Sequence, residues 1–416
     1  MVKRVLMIAY HFPPIKVSSG IQRTLRFAQY LPENGWSPIV LAPHPRAYIA
    51  TSDEDMGQLA GMEVHRTFAL DSGRHLSLRG RYPRLAALPD RWSSWWLGAV
   101  PAGLNLIRKF RPHVIWSTYP IATAHLIGLT LHRLTGIPWA ADFRDPMVQV
   151  DYPPDPLTWK SFHWIERQTA KHASAIIFTT PGALREYGRR YPDRAGRFSL
   201  IENGYDENMF ATASRGLEIA PRLPGRPVTL LHSGIIYPIE RDPRQLFAAL
   251  SHLLRQGEIS PDVLRIVLRA SGHDAYLREL IGHFGIESIV TLAPSIPYAA
   301  ALREMLTVDG LLILQADNCN DQIPAKLYEY LRARRPILGL ADPEGDTGQV
   351  LAAAGIDTIA PLDSAEAIAT ALKRFIERFR NGNIQLPHEA TITSASRRGR
   401  TLEFSRMLDT MVTSSR

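Results

Sequence analysis

Short unbroken apolar runs alternate along this chain with segments whose apolar residues recur every three to four positions. Residues 5–9 read VLMIA, and 21–31 follow with helical spacing. Further runs of strand length lie at 38–42, 64–68, 113–118, 139–142 and 174–179, and helical spacing covers 99–110 and 122–134. Continuous apolar runs suit strands covered on both faces, and their alternation with helices predicts a doubly wound, largely parallel sheet. The pattern lapses over 203–227, a polar stretch bearing Pro and Gly, and then restarts. Strands are expected over 229–232, 264–270, 290–292, 310–314 and 336–340, and helices over 243–254, 275–284, 299–305 and 325–332. Helices over 365–379 and 396–411 close the chain. The expectation is an α/β protein with two doubly wound domains, 1–205 and 206–390, facing across a cleft that closes about 203–206, and a C-terminal helix within 391–416 that returns to the first domain.

Length agrees, since 416 residues exceed what one core usually organises. The single cysteine, Cys319, excludes an internal disulfide framework and fits a reducing compartment. Lys3-Arg4 followed by an apolar run imitates a signal peptide, but the run is too short and enters a loop, so it reads as a first strand. No apolar stretch reaches the roughly 18–20 residues of a membrane span. A cytoplasmic protein is expected, with peripheral attachment to the inner membrane face left open. The net charge of +8 favours anionic partners, or else describes a solvated basic surface. Nucleic acid is not expected, because no helix-turn-helix, zinc finger or aromatic-basic sheet motif is present.

Two stretches carry the most chemistry. Residues 5–24, VLMIAYHFPPIKVSSGIQRT, form a strand, a Pro-rich loop containing His11, and a helix restarting at Gly20. Residues 321–338, DQIPAKLYEYLRARRPIL, form a loop, a helix with Lys326 and Glu329 on one side, and a strand. Lys326 and Glu329 also fit an ordinary i,i+3 surface pair. Arg241 follows the turn at Gly234 and precedes Asp242-Pro243, a good helix-start signal, so it is either a site cation or a cap-flanking surface residue. Asp142-Phe143-Arg144-Asp145 ends a strand, where ligands of open α/β sheets bind, although an Arg–Asp brace within the loop is equally compatible. His232 and Ser233 end the first strand of the second half, whereas His125, on an apolar helix, reads as a core histidine. Asp53-Glu54-Asp55 matches an Asp-x-Asp metal string only formally, since no apolar strand precedes it. No His/Cys/Asp cluster has zinc spacing, and no Gly-x-Ser-x-Gly or Walker string occurs. Residues 74–97 carry five Arg before three Trp, which suits a membrane interface, an anionic acceptor, or packed indoles beneath a solvated basic face.

Five strings in order, HFPP with GIQR, WAADFRDP at 139–146, IENGYD at 201–206, LLHSGIIYPIERDP at 230–243 and IPAKLYEYLRARRPIL at 323–338, resemble glycosyltransferases of the GT-B fold, family-four type. That resemblance implies two Rossmann-like domains and transfer of a sugar from a nucleoside-diphosphate donor (UDP-, GDP- or dTDP-sugar) to a glycan, lipid-linked or small-molecule acceptor. It implies retention of configuration, with no metal and no further cofactor. Glu329 then corresponds to the second carboxylate of the family pair, a ribose ligand, and Asp321 to the first, one methylene shorter than the usual Glu. Pro324, Ala325 and Lys326 open the helix beside the phosphates, with Ser233, Gly234 and Arg241 opposite and Gly20 on the first loop. Ser18-Ser19-Gly20 keeps one of the two glycines usual in that loop. Asp142, Asp145 and Arg241 are the catalytic candidates, and His11, Arg144 and Trp95 the acceptor contacts. Arg144 stands where some relatives have His. A nucleotide-sugar epimerase or hydrolase of the same fold, and a non-catalytic nucleotide- or lipid-binding module, are the alternatives.

Overall fold

The computed structural model describes residues 2–16, 20–52, 56–79, 81–218 and 225–414, which divide into two units. The first comprises Met1–Asn203 and Arg397–Arg416, the second Gly204–Ser396. The sequence boundaries of 205 and 390 thus move to 203 and 396. Within the polar stretch 203–227 lies a helix, Glu207–Ser214, capped by Asp206, while 219–224 fall outside the described residues.

The first unit holds β1 (Lys3–Ile8), β2 (Trp36–Pro43), β3 (Glu63–Thr67), β4 (Val114–Thr118), β5 (Trp139–Arg144), β6 (Ala175–Phe178) and β7 (Phe198–Leu200), in the order β3-β2-β1-β4-β5-β6-β7. Every pairing is parallel, as in β1 on β4 from Val5 opposite Val114. The unbroken apolar runs are the reason: Val5, Leu6, Met7 and Ile8 are fully buried because helices cover both faces. Strand order reverses between β1 and β4, so the loops after these strands flank a topological switch point.

The second unit holds β8 (Val228–Ser233), β9 (Leu264–Arg269), β10 (Val290–Ala293), β11 (Gly310–Leu314), β12 (Ile337–Leu340) and β13 (Ile359–Ala360). Their order is β10-β9-β8-β11-β12-β13, again parallel, with the switch between β8 and β11. The helix Arg397–Ser414 belongs to the first unit. Phe404 stacks on Phe27 with ring centroids 4.6 Å apart, and Asp409 accepts from Trp36 Nε1 at 2.8 Å. No helix among the described residues is long and apolar enough to cross a membrane.

Candidate donor and acceptor sites

In the second unit the apolar run of β8 ends at His232, which is wholly buried. Its Nδ1 lies 2.9 Å from the Leu312 carbonyl oxygen of β11. A carbonyl only accepts, so Nδ1 carries the proton and Nε2 is left as an acceptor. Nε2 takes a hydrogen bond from Lys326 Nζ at 3.1 Å. The chain then turns at Gly234, whose φ of +127° disfavours any side chain, and a Cβ there would lie 2.6 Å from Lys326 Nζ. Ser233 N–H donates to the Tyr330 hydroxyl at 2.8 Å, and Gly234 N–H to the Arg269 carbonyl at 2.8 Å.

Arg241 closes this loop. Its Nη1 donates to the Ile235 carbonyl at 2.9 Å, and its guanidinium lies 5.4 Å from the centre of the Tyr237 ring. Its Nε is buried and has no hydrogen-bond partner among the described residues. The helix Lys326–Ala333 begins without a side-chain cap, and Glu329 is the acidic residue of its first turn. One turn in, Glu329 accepts from the Tyr298 hydroxyl at 2.6 Å. Burial and the Arg241 guanidinium lower the Lys326 ammonium to about 7, with Glu329 opposing. Lys326 therefore reaches across to β8 at His232, beyond the i,i+3 partner on its own helix. Pro324 is buried and Ala325 half-buried, and the loop before them is pinned by the Thr347 hydroxyl donating to the Gln322 carbonyl at 2.9 Å. Asp321 is exposed at the start of that loop.

In the first unit Asp142 is fully buried and faces Arg23, also fully buried. Arg23 Nε and Nη2 donate to the two carboxylate oxygens at 2.8 and 3.2 Å, and its remaining N–H groups reach the carbonyls of Glu202 at 3.0 Å and Ile201 at 2.9 Å. Asp142 is thus a brace inside the scaffold, and the acceptor or base role expected for it is corrected. The bracing partner is Arg23, from the helix Gly20–Tyr30, and not Arg144. Asp145 is exposed.

Arg144 has φ +62°, at the point where the register of β5 against β6 shifts, and its side chain is buried. Its Nη1 donates to the carbonyls of Tyr119 at 3.3 Å and Gly20 at 3.4 Å. His11 faces the same point: a Cβ on Gly20 would lie 2.7 Å from His11 Nδ1 and 3.6 Å from Arg144 Nη1. Burial and Arg144 lower His11 to about 4, so its imidazole is neutral at pH 7. Gly20, His11 and Arg144 are therefore brought together, whereas Ser18-Ser19 and Asp53-Glu54-Asp55 lie outside the described residues. No group of three or more His, Cys, Asp or Glu among the described residues could hold a metal ion. His125 is buried with Nδ1 2.8 Å from the Ser117 hydroxyl, as a core histidine.

Trp95 is a second correction. It is fully buried, its indole N–H donates to the Thr67 hydroxyl at 3.0 Å, and it cannot touch an acceptor. Trp96 donates to the Thr130 hydroxyl at 3.0 Å, and Trp92 packs 4.8 Å from Tyr10. Arg91 is spent on buried Asp71, with two bonds of 2.9 Å. Among the residues that 74–97 exposes are Arg79, Arg81 and Arg84, the last paired with Asp155, and Leu78 and Leu85, these two leucines about 80% exposed.

Residues 19–204 match the family model described as a glycosyl transferase 4-like domain. The whole chain has the GT-B fold. Sucrose-phosphate synthase from Thermosynechococcus elongatus is similar over 99% of this chain and 97% of its own, with 14% identity and a TM-score of 0.61. The Anabaena protein HepE, solved in complex with UDP-glucose, is similar over 99% and 97%, with 13% identity and a TM-score of 0.54. A UDP-GlcNAc 2-epimerase from Neisseria meningitidis, bound to UDP-GlcNAc, is similar over 98% and 100%, with 12% identity and a TM-score of 0.52. No curated protein matches the chain in sequence.

Proposed function

We propose that this protein is a retaining, metal-independent hexosyltransferase that moves a sugar from a nucleoside-diphosphate sugar to a glycan, lipid-linked or small-molecule acceptor. The observation that carries this is the convergence of Lys326, Arg241, Gly234 and Glu329 at the carboxyl end of β8 and the start of the helix Lys326–Ala333. Two basic side chains and an uncapped helix start suit a diphosphate, and a carboxylate one turn along suits vicinal ribose hydroxyls. Gly234 leaves the backbone bare where Lys326 comes in. Ser233, Pro324, Ala325 and Asp321 complete the donor site. In the first unit His11 and Arg144 serve the acceptor side, with exposed Asp145 as the carboxylate available to a reacting hydroxyl.

A thermal-shift panel of UDP-, GDP- and dTDP-sugars tests the donor assignment. A nucleotide at about 100 times its dissociation constant should stabilise the protein by about 2.7 kcal/mol. Glu329→Ala is expected to keep the ligand-free midpoint and lose most of that gain. Unchanged affinity in this variant would remove Glu329 from the ribose.

The exposed Arg79, Arg81 and Arg84, with Leu78 and Leu85, are assigned to reversible attachment at an anionic membrane. Each basic residue contributes about 1 kcal/mol near such a surface, so they act together, and binding should fall steeply with salt. Co-sedimentation with anionic but not neutral liposomes is expected, and it should be lost when all three are changed to Ser. Wild-type protein that ignores anionic lipid would make this a solvated face.

A further inference from the structure

His232 lies behind the cluster and has no place in the donor contacts described so far. It is fully buried at the end of β8, and its ring is fixed from both sides. The Leu312 carbonyl takes the Nδ1 proton at 2.9 Å, and Lys326 Nζ donates to Nε2 at 3.1 Å. The imidazole is held neutral, its acidity shifted well below the ordinary histidine value by burial first and Lys326 second. A neutral ring with this tautomer offers Lys326 one acceptor and no charge. The charged groups around Lys326 Nζ are Arg241, from the loop after β8, and Glu329, on its own helix. Arg241 repels an ammonium and Glu329 attracts one, and the bare Gly234 turn leaves room for the amine where a Cβ would lie at 2.6 Å.

We propose that His232 is a positioning residue that holds the Lys326 amine against the Gly234 turn, so that an arriving nucleoside diphosphate is bound together with one proton taken from solvent onto Lys326 Nζ. The proton adds to the amine lone pair, no other bond changes, and the resulting ammonium faces the diphosphate beside Arg241. Without nucleotide the ammonium is lowered to about 7 by burial and by Arg241, so the amine is largely neutral at pH 8. A bound diphosphate favours the charged form and raises that value. The sign follows: the contribution of Lys326 to affinity is fully present below about pH 7, and affinity falls by up to about tenfold per pH unit above it, until the pKa of the bound state is reached. His232, lowered well below the ordinary histidine value, stays neutral across this window.

The inference rests on the donor assignment above, and calorimetry separates the two. UDP, GDP and dTDP are titrated into the full-length protein at pH 8.0, in two buffers of different ionisation enthalpy. The nucleotides' own phosphates are fully ionised at this pH, so proton uptake reports on the protein. Wild type is expected to take up close to one proton with the nucleotide that binds. Lys326→Arg, which is always charged, should bind with no uptake and an affinity independent of pH from about 7.5 to 9. His232→Asn keeps a donor for Leu312 but does not reach Lys326, so affinity should fall by about tenfold or more and proton uptake should shrink. His232→Gln, whose amide oxygen can take the place of Nε2, should restore both. Binding with equal enthalpy in the two buffers, or wild-type affinity and uptake in His232→Asn, overturns the inference and leaves the donor assignment standing. If none of the three nucleotides binds, both fall.

Discussion

Replacing Arg241 by alanine is expected to lower turnover by about 10²–10³-fold, the usual cost of removing one preorganised group from developing negative charge. Leaving-group charge grows on the diphosphate as the glycosidic bond breaks, so a fixed cation there acts more on the transition state than on the bound donor. Arg241 is fixed: Nη1 is tied to the Ile235 carbonyl, the guanidinium lies 5.4 Å from the centre of the Tyr237 ring, and Nε is buried. Steady-state kinetics with the nucleotide sugar found by thermal shift checks this. The Michaelis constant should change by much less than kcat. A normal kcat with a raised KM would mean that Arg241 binds ground state and transition state alike.

Asp142→Ala is expected to be the most destabilising single change in the first unit. It leaves Arg23, with no exposed side-chain surface, without its carboxylate. Removing one partner of a buried ion pair costs about 3–5 kcal/mol, because the remaining charge is uncompensated. At about 2–4 °C per kcal/mol, the midpoint should fall by about 6–20 °C. The double variant Arg23→Leu with Asp142→Leu should recover much of this loss, since no charge is then buried alone. Calorimetric scans of the three proteins decide the point. A single variant with the wild-type midpoint would mean that Asp142 is dispensable to the scaffold and would reopen its catalytic role.

The strands were the most legible part of the chain, because a strand covered on both faces has nearly every position apolar, as 5–9 and 310–314 have. The helices that periodicity passes over are those whose buried face carries polar side chains. In Pro156–His172 the buried residues include Glu166 and Thr169 beside Phe162 and Ile165, which dilutes the apolar stripe. Glu166 is accommodated there by the hydroxyls of Tyr187 and Tyr191 and by Arg190, three partners from another part of the chain. The start of that helix was nonetheless written in the sequence, as Asp155 capping Thr158 ahead of Pro156. β7 and β13 are three and two residues long, too short for any period to register.

For the candidate sites, local strings located the loops but not the partners. Lys326 could be placed on the helix from DQIPAK alone, yet its partner His232 is 94 residues away and is set by β8 lying beside β11. Arg23 gave no signal, since an arginine on the first turn of a helix is ordinary until the fold sets it against Asp142, 119 residues on. Trp95 misled in the opposite way: indoles beside arginines look like an interface, but this side chain packs inward, and the most exposed apolar residues of the segment are Leu78 and Leu85.

The central claim, sugar transfer from a nucleotide donor, is tested most directly by mass spectrometry of the sugar. Purified protein is incubated with isotopically labelled UDP-, GDP- and dTDP-sugars, with and without a cell extract of glycans and lipids as acceptors. The expected result is release of nucleoside diphosphate that depends on the extract, together with the label in a new, heavier acceptor product. Conversion of the donor to an epimer or to free sugar at the same rate without any acceptor, or tight donor binding with no turnover in any mixture, would contradict it.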